Sequence, residues 1–177
     1  PQAKDLLIEA LAMGADEGIL VSDRAVGGSD TWATSNVLAA AVHKVGDYDL
    51  LFAGRQAIDG DTAQVGPQLA EKLDVPQVTY VQKFEIADNL KDITVERQLE
   101  DGYEVIDIQT PCMLTAIKEL NTPRYMSLKG IFDKEKDIKV WNAKDIEVDL
   151  NTVGLDASPT NVFRSFTPKP TDRKSTR

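Results

Sequence analysis

The sequence predicts an α/β fold around a mainly parallel sheet, with an added β-hairpin and an extended C-terminal arm. A buried strand pattern followed by a polar loop and a capped helix occurs twice in succession, which predicts the parallel sheet. Two alternating runs joined by Asp101 and Gly102 predict the hairpin. With 42% hydrophobic residues, a chain of 177 can bury one sizeable core, so length favours one domain.

The two strand and helix units occupy the first part of the chain. The elements predicted there are a helix at 5–12, a strand at 18–21, a helix at 32–45, a strand at 48–53 and a helix at 62–73. Ser29, Asp30 and Thr31 are all good capping residues for the second helix. Right-handed crossovers place the loops after both strands at the carboxyl edge of one sheet, where open α/β folds bind ligands.

The second part of the chain has a different pattern. We predict strands at 77–86, 93–99, 103–108 and 112–117, a turn at 121–125 and a short helix at 128–136. From Thr152 onward, three prolines and scattered small polar residues predict an extended arm that packs little. We therefore expect an α/β domain over 1–150 and an arm over 151–177.

Composition excludes several classes of function. The formal charge of -9 would repel a nucleic-acid backbone, so we expect no nucleic-acid partner. No apolar run is long enough to span a bilayer, so we do not expect an integral membrane protein. The single Cys112 lies in a buried strand pattern, which favours a core residue in a reducing, cytoplasmic compartment.

The corner between the second strand and the third helix is the strongest candidate site. Asp61 lies three residues before Gln64, the spacing at which a helix cap and the third helical residue satisfy each other's backbone groups. The free amides of 62–64 would then form an anion site suited to a phosphate. Asp59 and Asp61 would repel a phosphate, so we expect them to accept from amides, a ribose hydroxyl or an adenine amine. A well-capped helix without a ligand is the open alternative.

The run GRQAIDGDTAQVG at 54–66 resembles the nucleotide-binding signature of the electron transfer flavoprotein β subunit. Four further stretches resemble that family in the same order: EALAMGAD at 9–16, VER at 95–97, LNTPRY at 120–125 and SLKGI at 127–131. The resemblance implies a three-layer, Rossmann-like fold of the adenine nucleotide α-hydrolase type. It also implies a heterodimer with an α subunit that holds a redox FAD and shuttles electrons from dehydrogenases to an acceptor.

In that family the β subunit holds a second adenine nucleotide, which is AMP in many members. In electron-bifurcating members it is a second FAD that takes electrons from NADH. The forms DGDTAQVGP at 59–67 and GSDTWAT at 28–34 resemble the bifurcating type. We therefore expect FAD, with AMP as the alternative, and NADH as electron donor. The resemblance implies these contacts: Gly54, Arg55, Gln56, Ala57, Ile58, Asp59, Gly60, Asp61, Thr62, Ala63, Gln64, Val65, Asp30, Thr31 and Thr34. For Thr31 and Thr34, ordinary helix capping remains the alternative.

Two further residues take expected roles from the resemblance. Arg97 is expected to face the α-subunit flavin, where a cation stabilises a reduced, anionic ring, although a solvated strand face is the alternative. Gln98 stands where many relatives carry an acid. Leu128 matches the exposed leucine that docks into an acyl-CoA or related dehydrogenase, and its alternative is a core leucine. We assign no catalytic residue and no metal ligand.

The resemblance also bears on the two ends of the chain. The family begins with a strand and helix unit that touches the nucleotide, and we find no counterpart here. Most of the C-terminal arm that clasps the α subunit is missing too. We therefore expect a fragment, of bacterial or archaeal origin, whose sheet lacks one side and whose nucleotide pocket lacks one wall.

Two other classes of function stay open. The first is an adenine-nucleotide-binding α/β module without a redox role. The second is a phosphoryl-transfer enzyme in which Asp59 and Asp61 bind a metal, since hard cations prefer carboxylates. No lysine, histidine or third carboxylate lies nearby in sequence, so the metal hypothesis ranks last.

Overall fold

A computed structural model describes residues 2–133 and 138–167, in which helices and strands alternate in the first part of the chain and four strands then follow in succession. The α-helices are α1 (Gln2–Ala12), α2 (Thr31–Val45), α3 (Val65–Lys72), α4 (Leu128–Phe132) and α5 (Gly154–Ala157). The strands are β1 (Gly18–Val21), β2 (Leu50–Gly54), β3 (Gln77–Ile86), β4 (Asp92–Gln98), β5 (Tyr103–Gln109), β6 (Cys112–Ala116) and β7 (Ile138–Trp141). The predicted helix at 128–136 ends at Phe132, and 134–137 lie outside the described residues.

Within the described residues the strands form two sheets. One pairs β1 with β7 in parallel, and the other has the order β2-β6-β3-β4-β5. In the larger sheet β2, β6 and β3 run parallel, while β3, β4 and β5 run antiparallel. The Leu99 amide donates to the Gly102 carbonyl at 2.8 Å, which closes the β4–β5 hairpin. The predicted α/β class and the added hairpin are confirmed.

The expectation that both strand and helix units share one sheet is wrong for the described residues. β1 belongs to the two-stranded sheet and β2 to the five-stranded sheet. The partner of β1 is β7, a four-residue strand that is too short for a clear alternating pattern. Helix α2 connects the two sheets along the chain.

Helix α2 packs against both sheets through opposite sides of its apolar surface. Val37 and Ala41 join a core cluster with Ile146 and Val153 beside the β1–β7 pair. Ala39 joins a second cluster with three residues of α3 and β6, namely Leu69, Ala70 and Met113. A third cluster fills the space under β3 to β6 and includes Cys112, which is fully buried as predicted. Helix α2 is therefore part of two hydrophobic cores.

The C-terminal segment contains more secondary structure than the extended arm that the sequence predicts from Thr152 onward. A 3-10 turn at Leu150–Thr152 leads into α5, and Val153 and Gly154 are both buried. The Gly154 amide donates to the Ser29 hydroxyl at 2.9 Å, so this part is fastened beside the start of α2. Extended, exposed chain follows only from 159 to 167. The sequence missed α5 because a four-residue helix has no measurable periodicity.

Candidate functional site

The corner loop, residues 54–64, leads from the end of β2 to the start of α3. Its first peptide is fixed to the sheet because the Arg55 amide donates to the Ala116 carbonyl of β6 at 3.1 Å. Its tip is a turn in which the Asp61 amide donates to the Ala57 carbonyl at 3.1 Å. The tip residues 57–62 are all exposed. The loop therefore has an anchored base and an open tip at the carboxyl end of β2.

The predicted cap of α3 by Asp61 is wrong. The helix begins at Val65, three residues later than expected, and its N-cap residue Gln64 makes no side-chain cap hydrogen bond. Asp61 and Ala63 both adopt left-handed backbone, with φ of 53°, which a helix start at Thr62 does not allow. The free helical amides are therefore those of Val65 and Gly66 rather than those of 62–64.

Hydrogen bonds connect several side chains within the corner loop. The Arg55 Nε donates to Gln56 Oε1 at 2.9 Å, and the Gln56 side-chain amide donates to Asp61 Oδ1. Asp59 accepts from the Gly60 amide at 2.8 Å. Both aspartates thus accept hydrogen bonds from groups of the loop itself.

The loop after β1 meets the corner loop although the two strands lie in different sheets. The Thr31 hydroxyl, in the first turn of α2, donates to Gln64 Oε1 at 3.0 Å. Thr34 instead donates to the Ser29 carbonyl of its own loop at 3.5 Å. Thr31 is therefore part of the contact between the two loops, while Thr34 donates to its own loop and is not the cap of α2, a position that Asp30 occupies.

Both carboxylate oxygens of Asp30 accept hydrogen bonds from other parts of the chain. It is the N-cap of α2, where Oδ1 accepts from the Ala33 amide at 3.0 Å. Its Oδ2 accepts from the Thr160 amide at 3.0 Å and from the Thr160 hydroxyl at 2.8 Å. Partial burial raises the pKa of Asp30, but the hydrogen bonds from Ala33 and Thr160 outweigh it, and the pKa lies below its usual value.

Lys72, at the end of α3, fixes that helix to the first turn of α2. Its ammonium group donates to the Trp32 carbonyl at 2.9 Å and to the Ser35 hydroxyl at 2.5 Å. The same group lies 4.8 Å from the centre of the Trp32 ring. Burial lowers the pKa of Lys72, and the nearby Asp30 charge partly offsets this effect. No sequence pattern distinguishes this lysine from an ordinary basic residue near a helix end.

The sequence matches the family described as "Electron transfer flavoprotein domain" over residues 1–146. The chain belongs to the electron transfer flavoprotein family. It is 60% identical over 169 residues to the "Caffeyl-CoA reductase-Etf complex subunit CarD" of Acetobacterium woodii, a match that covers 95% of this chain and 64% of the relative.

Other relatives of this electron transfer flavoprotein chain carry related names. The "Electron transfer flavoprotein subunit beta" of Clostridium acetobutylicum is 59% identical over 169 residues, covering 94% of this chain and 64% of the relative. The "Acryloyl-CoA reductase electron transfer subunit gamma" of Anaerotignum propionicum is 50% identical over 176 residues, covering 95% and 65%. The chain thus spans about two thirds, 64 to 65%, of the length of these relatives. The resemblance to the β subunit is confirmed.

In this electron transfer flavoprotein chain, Arg97 lies apart from the corner loop. It is half-buried on β4, three strands away from β2 in the sheet order. Its Nη1 pairs with Glu104 across the hairpin at 3.4 Å, and its buried Nε has no hydrogen-bond partner among the described residues. Gln98, which follows it, is half-buried at the end of the same strand.

Leu128 begins α4, and its side chain is 75% exposed, which contradicts the alternative of a core leucine. The helix is capped by Ser127, whose hydroxyl accepts from the Gly130 amide at 2.9 Å. Gly130 lies against the Ala12 backbone of α1, where a Cβ would come within 2.6 Å of the Ala12 carbonyl oxygen. The leucine is therefore displayed on a short helix with a fixed base.

Metal-binding and membrane features were also sought in the described part of the chain. Residues 2–133 and 138–167 contain no group of three or more His, Cys, Asp or Glu side chains close enough to hold a metal ion. Asp59 and Asp61 thus gain no third ligand there. In the same residues, every helix is too short or too polar to cross a bilayer.

Proposed function

We propose that this protein is the β subunit of a heterodimeric electron transfer flavoprotein that binds FAD at the corner loop. With its α subunit it passes electrons between NADH or acyl-CoA dehydrogenases and an acceptor. The observation that carries this proposal is the contact of Thr31 with Gln64, which joins two strand-end loops in a chain of this family. AMP is the alternative occupant of the same loop.

The chemistry of the corner loop fits an adenine nucleotide. Arg55 is the one basic residue between Gly54 and Gln64, and the amides of Val65 and Gly66 begin α3 close to it in sequence. A cation and free helical amides suit a phosphate or pyrophosphate. Asp59 offers an exposed carboxylate to ribose hydroxyls or an adenine amine. A bound FAD would supply the redox chemistry, and the chain's residues would bind and orient it.

The names of the relatives support a particular class of redox partner. Caffeyl-CoA and acryloyl-CoA, which appear in two of those names, are both α,β-unsaturated thioesters of coenzyme A. We therefore propose an acyl-CoA or related dehydrogenase as partner, with Leu128 at its docking surface. The sequence form of the corner supports the bifurcating type, in which the second FAD accepts electrons from NADH. Arg97 is proposed to face the α-subunit flavin.

The test is to purify the full-length protein with its α subunit and to count released FAD and AMP per heterodimer. We expect two FAD and no AMP, with both flavins bleached by NADH. Replacing Arg55 with alanine should lower the FAD content by one per heterodimer, because one of the two flavins would lose its phosphate contact. The matched control is Lys44→Ala, since Lys44 is an exposed basic residue in the last turn of α2, far along that helix from Thr31. This variant should keep both flavins bound.

Other outcomes would change the proposal in distinct ways. One FAD with one AMP would keep the family role and contradict bifurcation. AMP without any flavin would contradict the redox role and favour a plain nucleotide-binding module. If neither FAD nor AMP were released, that result would contradict the proposal that the corner loop is a binding site.

A further inference from the structure

Tyr80 has a backbone conformation that is rare for its residue type. It lies within β3 and has a φ of 57°, in the left-handed region. For a bulky, aromatic side chain this conformation is a genuine outlier, whereas glycine adopts it without steric cost. Outliers of this kind persist only where the surroundings favour them, and they are enriched at functional sites.

A β-bulge accounts for the backbone of Tyr80 but not for its side chain. Val78 pairs with Leu114 and Val81 with Ala116, so β3 advances three residues while β6 advances two. The displaced Tyr80 amide donates to the buried Thr115 hydroxyl at 3.0 Å instead of to the ladder. A glycine would serve such a bulge at least as well. The presence of tyrosine indicates that the ring has a role of its own.

The ring of Tyr80 contacts the first side chain of the corner loop. The Arg55 guanidinium lies 5.2 Å from the ring centre, within the range of a cation–π contact. Gln56 holds the Nε of the same guanidinium from the loop side. Across residues 2–133 and 138–167, no hydrogen bond or ion pair engages the terminal nitrogens Nη1 and Nη2 of Arg55. These two nitrogens remain available to an anion.

We propose that Tyr80 is a positioning residue for nucleotide binding, which holds the Arg55 guanidinium where it meets a phosphate of the ligand. The inference rests on the proposed function, namely that the corner loop binds an adenine nucleotide. The loop carries two aspartates and one arginine, so an unrestrained guanidinium could pair with Asp59 or Asp61 instead of with a phosphate. The ring and Gln56 together reduce that freedom.

The test compares AMP with adenosine, which lacks the phosphate. Isothermal titration calorimetry is performed on full-length protein freed of nucleotide, with wild type, Tyr80→Phe and Tyr80→Asn. Phenylalanine keeps the ring, while asparagine removes it but tolerates left-handed backbone. We expect Y80N to weaken AMP binding about two- to fivefold and to leave adenosine binding unchanged. Y80F should bind both ligands like wild type. If Y80N fails to fold, Tyr80→Gly offers the same comparison.

A double substitution tests whether Tyr80 acts through Arg55. Arg55→Ala should weaken AMP binding about tenfold or more, and adding Y80N should produce no further loss. An equal loss of AMP and adenosine binding in Y80N would overturn the inference, because the ring would then act on the whole loop. So would a further loss of AMP binding in the double variant. Failure of the proposed function is distinguishable, since wild type would then bind neither AMP nor adenosine nor FAD.

Discussion

At the scale of single residues, the Asp30 carboxylate connects the start of α2 with the segment that follows α5. It caps α2, and it holds Thr160 at the end of the segment that follows α5. Replacing an N-cap aspartate by alanine costs about 1 kcal/mol, and the Thr160 contacts add to that. We expect Asp30→Ala to lower the free energy of unfolding at pH 7 by about 1–2 kcal/mol, measured by urea denaturation.

The effect of Asp30 on stability should depend on pH. Because its pKa is lower in the folded protein, the folded state binds fewer protons than the unfolded state. The stabilisation is fully present above the unfolded pKa of about 4 and is lost as pH falls through the folded pKa. The difference between wild type and Asp30→Ala should therefore shrink below about pH 4. Asp30→Asn keeps an acceptor and cannot titrate, so it serves as control. A difference that stays constant down to pH 2.5 would contradict the assignment.

Residue patterns predicted some local roles and not others. Asp30 was predicted as one of three good capping residues and is confirmed as the cap of α2. Asp61 has an equally good pattern before Gln64 but caps nothing, because it takes up left-handed backbone in the turn. A capping pattern describes what a side chain can do and leaves the backbone angle open. Pro67 is the one signal for the later start, since proline fits the first turn of a helix.

At the scale of elements, α3 packs against β6 where Gly66 lies close to Thr115. A Cβ at Gly66 would lie 2.6 Å from Thr115 Cγ2, closer than such atoms approach in proteins. Gly66→Ala should therefore destabilise the protein by about 1–3 kcal/mol, because the helix must move away from the sheet. Thermal or urea unfolding would measure the loss. Gly60→Ala is the matched control, since its nearest neighbour lies 3.9 Å away, at Thr62 Cγ2.

A second substitution separates this steric effect from the helix propensity of alanine. Thr115→Ser removes the methyl group but keeps the hydroxyl that accepts from the Tyr80 amide. The double variant of Gly66→Ala and Thr115→Ser should recover more than half of the stability that Gly66→Ala loses. Strictly additive losses in the double variant would show that the methyl contact is not the cause.

The longer elements could be predicted because their periodicity is strong, and the short ones could not. Helix α2 and strand β3 lie within one residue of their predicted bounds. Strand β7 has only four residues and gains its place from pairing with β1, far away in sequence. The bulge at Tyr80 is also set by tertiary pairing, because the register of β3 shifts against β6, a strand far along the chain. The contact of Tyr80 with Arg55 therefore has no counterpart in the sequence pattern.

At the scale of the whole molecule, Leu128 provides a test of the proposed docking surface. Its exposed side chain makes little contribution to the core, so Leu128→Ala should change the free energy of unfolding by less than about 0.5 kcal/mol. Electron transfer with the partner dehydrogenase should slow about tenfold, as expected for a central interface residue. Stopped-flow measurement of flavin reduction in the full heterodimer would report this rate.

The matched control for that experiment is Leu90→Ala. Leu90 is 72% exposed in the turn between β3 and β4, a different part of the surface from α4. Its replacement should leave the rate of electron transfer unchanged. Equal slowing in both variants would contradict a specific docking role for Leu128 and indicate a general effect of lost apolar surface.

The division into two sheets has a consequence for how the molecule unfolds. Helix α2 contributes side chains to a core on each sheet, and the Thr31–Gln64 bond is a further bridge between the strand-end loops. The unfolding of the two sheet regions is therefore coupled through helix α2 and through this hydrogen bond. A nucleotide held by both loops would strengthen this coupling, so the two regions would lose their structure in one cooperative transition instead of two. The ligand would then define the cooperative unit as well as the redox site.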